Sequence, residues 1–315
     1  MDDTRQALPW IDSLFSLRFG LGDKTLFHKR FPALTLAHDP LASKEDDWER
    51  HVEALARRDR VLVVRSYPVS HQLPTLEQRA GLTRYVTEHF QRYFVRLDGS
   101  YEAYLSAFSA KTRSTLKRKV RKFIELDGGG RMEVYRTGEQ IDRFWTLARQ
   151  VSAKTYQEKL LGAGLPDGAD ALARAKEKAD RDACRGYLLF VGDAPVAFIY
   201  LEGERGTLEY RYLGFDPAYA DHSAGTVLHW LMLESLFGEG RFAVLDFTEG
   251  EGTQKKTFGT DSRFCANILY YPDTPSFRLW FTAHLGMDRL SGAIGRALER
   301  LGLKAAVRRW LRGQQ

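Results

Sequence analysis

Hydrophobic positions along the 315 residues form short continuous runs in some places and stripes at helical spacing in others. Near the N-terminus, 60–66 (RVLVVRS) reads as a buried strand closed by Tyr67-Pro68, between helices expected over 47–58 and 76–90. In the second of these, Leu76, Ala80, Val86 and Phe90 recur at turn-like spacing. Residues 93–97 are strand-like and stop at Asp98-Gly99, a turn signal. Leu116, Val120, Phe123 and Ile124 predict a helix, ended by Gly128-Gly129-Gly130 and followed by a strand over 131–136. A second helix over 139–151 lines up Ile141, Phe144, Ala148 and Val151. Over 169–183 charges alternate with Leu172, Ala175 and Ala179, the pattern of a mostly solvated helix.

Three β-type runs follow, 186–192, 195–203 and 207–215, joined by turns at Gly192-Asp193 and Gly203–Gly206 that are too short for anything but an antiparallel meander. A loop over 216–225, a helix over 226–237 and a strand over 242–247 complete a strand–helix–strand crossover, which makes the last pair parallel. The fold class is therefore α/β, with a mixed sheet that is antiparallel first and parallel at the end, flanked by helices. No internal repeat or long low-complexity linker is present, and the expected divisions are an N-terminal lobe to residue 97, a central domain over 98–272 and a basic helical tail over 273–315.

Composition narrows the class. With 43% apolar and 12% aromatic residues the chain can bury a large core, and 28% charged residues fit a folded protein of one or two domains. No apolar run approaches the roughly 18 residues of a membrane span, and the start, MDDTRQALPW, lacks a secretory pattern, so a cytoplasmic protein is expected. Cys184 and Cys265 make neither a disulfide framework nor a metal knuckle. The eight histidines show no paired metal spacing, and His229 reads as structural. No Ser-His-Asp or Cys-His pattern emerges, so neither a metal nor a covalent acyl-enzyme is expected.

The net charge of +6 is local. Residues 276–315 carry eight Lys/Arg against two Asp/Glu, and 111–123 carry seven bases and no acid. The basic helix suits a solvated face, a site for phosphates or another anionic ligand, or an RNA surface; the lack of interleaved aromatics ranks RNA last. In the tail, Leu290, Ile294, Leu298 and Leu301 at helical spacing, with Trp280 and Trp310, suit docking on the body or peripheral contact with an anionic inner-membrane surface.

The order of three antiparallel strands, a loop entering a helix and a parallel strand resembles the core of the GNAT acyltransferase superfamily. Within it, Gly214-Phe215-Asp216, Tyr219-Ala220, Gly225, Asp246-Phe247, Gly250, Lys255 and Phe258 resemble the pattern of the CelD-type acyltransferases, named for cellulose biosynthesis and related to Fem-type ligases. The run AFSAKTRSTLKRKVRK resembles that family's opening helix. The sequence departs from the pattern at Ala224, where the family has Pro, and at Gln254, where it has Tyr. The resemblance covers about 97–272; residues 1–96 match weakly and suit a reduced copy of the fold. It implies transfer of an acyl group, acetyl by default, from acetyl-CoA or another acyl-CoA to an amine, with an amino sugar or other cell-envelope or exopolysaccharide precursor as acceptor. Two alternatives stay open: a Fem-type aminoacyl-tRNA-dependent transferase, and a non-catalytic GNAT fold acting as a membrane-associated scaffold.

The candidate site residues follow. Small residues Ser223, Ala224 and Gly225 admit a ligand close to the backbone, and Thr226 opens the helix, so its free N–H groups offer a diphosphate site; a plain helix cap is the competing reading. An amine with a pKa near 10.4 needs a base, and Glu209 on the third strand and Asp246 at the end of the parallel strand are the candidates. Alternation along 207–215 puts Glu209 and Arg211 on one face and Tyr210 and Tyr212 on the other. Lys255 is expected to neutralise phosphate or meet the acceptor, and Tyr156, Gln157 and Tyr212 to shape the acceptor site.

Overall fold

A computed structural model describes residues 10–22, 24–49, 52, 59–79, 81–155, 164–250 and 252–300. Among the described residues the first strands are β1 (Trp10–Leu21), β2 (Lys24–Leu36), β3 (Val61–Pro68), β4 (Leu76–Arg79) and β5 (Leu82–Arg96). Next come α1 (Tyr101–Ser106), α2 (Ala110–Ile124), β6 (Gly130–Tyr135), α3 (Gly138–Ser152) and α4 (Ala169–Asp180). The strands β7 (Cys184–Val191), β8 (Ala194–Glu204) and β9 (Thr207–Phe215) lead through a 3-10 turn at Pro217–Tyr219 into α5 (Ala224–Glu239) and β10 (Val244–Asp246). The last elements among the described residues are α6 (Thr253–Phe258), β11 (Asp261–Pro272) and α7 (Pro275–Arg300). Two compact units result, Met1–Phe90 with Phe264–Gln315, and Gln91–Arg263; the divisions fall inside β5 and β11.

In the first unit the strands run in the order β1-β2-β3-β11-β5, with β4 on β5. The helix expected over 76–90 is instead the hairpin of β4 and β5, with Arg79 opposite Leu82. The reason is local chemistry. Thr83, Tyr85, Val86, Thr87 and Phe90 are β-branched or aromatic and favour a pleated surface, and Gly81 at φ +83° makes the turn. The four apolar positions at helical spacing were outweighed. The helix expected over 47–58 lies largely outside the described residues. One face of α7 closes this unit's second core, with Phe281 stacked on Tyr271 at 4.1 Å and clustered with Phe31, Leu17 and Phe19. Residues 301–315, with Leu301 and Trp310, and the side chain of Leu298 lie outside the described residues.

The second unit is a three-layer α/β arrangement. Its strands follow the order β5-β10-β9-β8-β7-β6. Successive strands from β6 to β9 are antiparallel, whereas β10 is parallel to β9 and antiparallel to β5. The mixed sheet, antiparallel and then parallel, is as the runs and turns implied. Alternate residues of β7 and β8 face different helices. Tyr187, Leu189, Ile199 and Leu201 pack with Leu116 and Phe123 of α2 and Val227 and Leu228 of α5. Leu188, Phe190, Phe198 and Tyr200 pack with Ile141, Phe144 and Ala148 of α3 and Ala175 of α4. Burial on both faces explains why these strands are continuous apolar runs. Among the described residues no helix is long and apolar enough to cross a membrane.

Candidate active site

The parallel pair is short. β10 meets β9 only from Val244 opposite Thr207 to Asp246 opposite Glu209, while β9 continues to Phe215. From Tyr210 onward that side of β9 has no strand partner among the described residues. An opening at the carboxyl end of a parallel pair is where α/β sheets receive ligands.

A bulge sits at the same point. The β8–β9 register places Leu201 opposite Tyr210 and Tyr200 opposite Tyr212, which leaves Arg211 as an extra residue. Strict alternation therefore fails here. Tyr210 stacks on Phe247 at 5.0 Å and on His229 at 5.6 Å, on the α5 face. Tyr212 instead lies against Trp145 at 6.3 Å and Tyr200 at 6.2 Å, on the α3 face. The two tyrosines expected to share a face are on opposite ones, because one inserted residue resets the pleat.

The two candidate carboxylates are register neighbours with different surroundings. Asp246 is buried, at 1% exposure, and both of its oxygens accept from Arg92 Nε, at 3.1 and 2.8 Å; Arg92 Nη2 adds a 2.7 Å contact. The Thr248 backbone N–H donates to the same carboxylate at 2.8 Å. Glu209 is about one-third exposed and lies 3.8 Å from Arg92 Nη2 and 3.5 Å from Arg211 Nη2. Arg211 also donates to Glu202 at 3.0 Å. Arg92 thus links a sealed carboxylate to one that reaches solvent. Sequence reasoning missed Arg92. Its one local signal is a base preceding the aromatic and apolar run Tyr93–Val95, and its partner is 154 positions away.

The loop after β9 is tightly fixed. A Cβ at Gly214 would come within 2.8 Å of both Phe198 and Thr155, so only glycine fits without displacement. Asp216 caps the 3-10 turn, accepting from the Ala218 N–H at 3.0 Å, and also receives Lys154 Nζ at 2.7 Å. The chain then enters α5 through Ser223, whose φ of +58° is left-handed and whose side chain makes no cap hydrogen bond. The Ser223 N–H goes to Ala220 O, and the helical ladder starts with Val227 N–H to Ser223 O at 3.0 Å. The N–H groups of Ala224, Gly225 and Thr226 have no acceptor among the described residues. Three uncapped amides at the positive end of a 16-residue helix are suited to an anion.

Nearby side chains brace this entrance. Gln254 Nε2 donates to Thr226 Oγ1 at 3.1 Å and ties α6 to the first turn of α5. Lys255 Nζ donates to Thr248 O at 3.4 Å and to Glu249 O, so it holds the turn that follows Asp246. His229 is buried between Tyr210 and Phe258, with Nδ1 2.6 Å from Gly225 O. Burial pushes its imidazole down to about 4, so it is neutral at pH 7. Tyr156 and Gln157 lie outside the described residues.

Residues 110–256 match a family model described as an acetyltransferase (GNAT) domain. The match covers a little under half of the chain and accords with a GNAT-like fold over this segment. The chain matches no curated protein. Among solved structures it is similar to L-PGS from Bacillus licheniformis, at 13% identity and a TM-score of 0.47, covering 84% of this chain and 86% of that one. It is also similar to the C-terminal domain of a putative lysylphosphatidylglycerol synthetase from Agrobacterium fabrum (12%, TM-score 0.48, 89% and 88% covered). FemX is a third, at 9% identity and a TM-score of 0.47, with 86% of this chain and 90% of that one covered. The matched GNAT-type segment contains Glu209, the bulge, the uncapped start of α5, and Asp246.

Proposed function

We propose that the GNAT-type domain transfers an acyl group, acetyl by default, directly from acyl-CoA to an amine. The observation that carries this reading is the set of three unclaimed N–H groups at Ala224–Thr226, at the start of the helix that follows the strand leaving its parallel partner. A coenzyme diphosphate fits such a start. No acid lies among Ser223–Thr226, and no cap side chain competes for the amides.

Within this reading Glu209 takes the amine proton, directly or through water. An amine with pKa near 10.4 is neutral only about once in 2,500 at pH 7, a handicap of roughly 4.6 kcal/mol that a placed base removes. Asp246, with both oxygens on Arg92, acts as a positioning residue for that guanidinium and thereby for Glu209. Lys255 braces the turn after Asp246. Tyr212, turned toward Trp145, and Tyr156 and Gln157 are assigned to the acceptor side. The CelD-type sequence pattern supports an amino sugar or another envelope or exopolysaccharide precursor as that acceptor.

Calorimetry with acetyl-CoA tests the reading. Saturable micromolar binding that is lost in Gly225→Glu and kept in Gly225→Ala is expected. A second reading, an aminoacyl-tRNA donor, is favoured by α2, where Lys111, Lys117, Arg118, Lys119 and Lys122 form no ion pair among the described residues. Binding of charged tRNA without binding of acetyl-CoA would establish that reading instead.

A further inference from the structure

α7 has two apolar faces, and the first unit uses one of them. Phe277, Phe281 and Leu285 turn toward the strands, while Leu279, Ala283, Gly286, Leu290 and Ile294 recur on the opposite side at three- and four-residue spacing. Leu279 is 69% exposed, Leu290 54% and Ile294 44%, high values for leucine and isoleucine. The tip of the β1–β2 hairpin adjoins this helix, with Gly22 N–H donating to Ser291 Oγ at 2.8 Å and the Phe27 ring 6.4 Å from Trp280. It adds exposed Leu21, Leu26 and Phe27. Exposed apolar side chains grouped on one helix face and on the hairpin beside that helix mark an interaction surface.

The flanking charge identifies the occupant. Arg289, Arg296 and Arg300 are exposed and form no ion pair among the described residues, whereas Asp288 Oδ2 lies 3.3 Å from His284 Nδ1. On α7 the only acids are Asp288 and Glu299, so a second copy would bring like charges together with little to receive them. A nucleic acid would leave the leucines uncovered. An apolar stripe with arginines beside it suits the headgroup boundary of an anionic bilayer.

We propose that this face of α7, with the β1–β2 hairpin tip, seats the protein on an anionic lipid surface. Leu279, Leu290 and Ile294 enter the acyl boundary while the three arginines meet lipid phosphates. The assignment is independent of the acyl-transfer reading, and its test uses neither donor nor acceptor.

The test is co-sedimentation of the full chain with vesicles of equal parts phosphatidylglycerol and phosphatidylcholine, against phosphatidylcholine alone. Binding to the anionic vesicles that weakens in 0.5 M salt is expected. Leu290→Glu/Ile294→Glu should abolish it, and Arg289→Gln/Arg296→Gln/Arg300→Gln should weaken it by about a hundredfold. Both variants change exposed side chains, and an unchanged urea midpoint verifies that they fold. No binding to anionic vesicles, or binding that the Glu double variant leaves intact, overturns the proposal. So does a dimer in sedimentation velocity that Leu290→Glu dissolves, because a second copy would then cover the face.

Discussion

Arg92 grips Asp246 with two nitrogens, at 2.7 to 3.1 Å, in a setting where both side chains are almost fully sealed from water. The same guanidinium points its Nη2 at Glu209, 3.8 Å away, so one arginine from β5 holds two adjacent strands of the GNAT-type domain by their acids. An ion pair so deeply buried contributes little net stability while intact, yet it is expensive to break, because the survivor is a charge without solvent.

Arg92→Met should accordingly destabilise the protein by about 3–5 kcal/mol in urea unfolding. Combining it with Asp246→Leu should recover most of the loss. Equal costs that simply add in the double variant would show that the two groups are not coupled.

Gly214→Ala is expected to cost about 1–3 kcal/mol, since its Cβ would press on Phe198 and Thr155. Gly225→Ala is the contrasting case: its Cβ meets only Phe215 Cδ1, at an ordinary 3.5 Å, and the urea midpoint should stay where it is. A Gly214→Ala midpoint equal to that of the unaltered protein would show that the loop yields.

Glu209→Gln should lower kcat by about 10²–10⁴-fold in an acetyl-transfer assay while the urea midpoint stays near that of the unaltered protein. A variant that keeps the kcat of the unaltered protein would remove Glu209 from the proton-transfer role.

His229 predicts acid sensitivity. Its imidazole is lowered from 6.5 to about 4 in the folded protein by burial, so protonation favours the unfolded chain. Its contribution is complete above pH 6.5 and is lost progressively as pH falls toward 4, by roughly 3 kcal/mol at the end. His229→Phe should flatten that part of the stability–pH curve, measured as the difference in slope between the two proteins from pH 6.5 to 4. Parallel curves would assign the acid sensitivity elsewhere.

The central sheet was legible because its runs are long, its turns short and its crossover helix uninterrupted; each local signal pointed the same way. Leu76–Phe90 misled because four apolar positions fitted a helix while the residues between them preferred strand, and pairing of β5 with a neighbour decided the matter. The β1–β2 hairpin went unread, although its Gly22 turn was visible. At the candidate site, Glu209, Asp246 and the start of α5 were nominated from residue type and order. Arg92 was not, because a salt bridge spanning 154 positions leaves no trace in one sequence. The bulge at Arg211 was equally hidden, since nothing in TLEYRYLGF distinguishes an inserted residue from its neighbours.

That insertion sets the phase of the second half of β9, so that Tyr210 and Tyr212, two positions apart, serve opposite faces. Deleting Arg211 would restore a regular two-residue period with the Tyr200–Tyr212 register unchanged. Tyr212 would stay against Trp145, and Gly214 against Phe198 and Thr155. What such a deletion takes away is the bulge itself and the guanidinium beside Glu209, so it separates the contribution of the irregular backbone from that of the packing on either side.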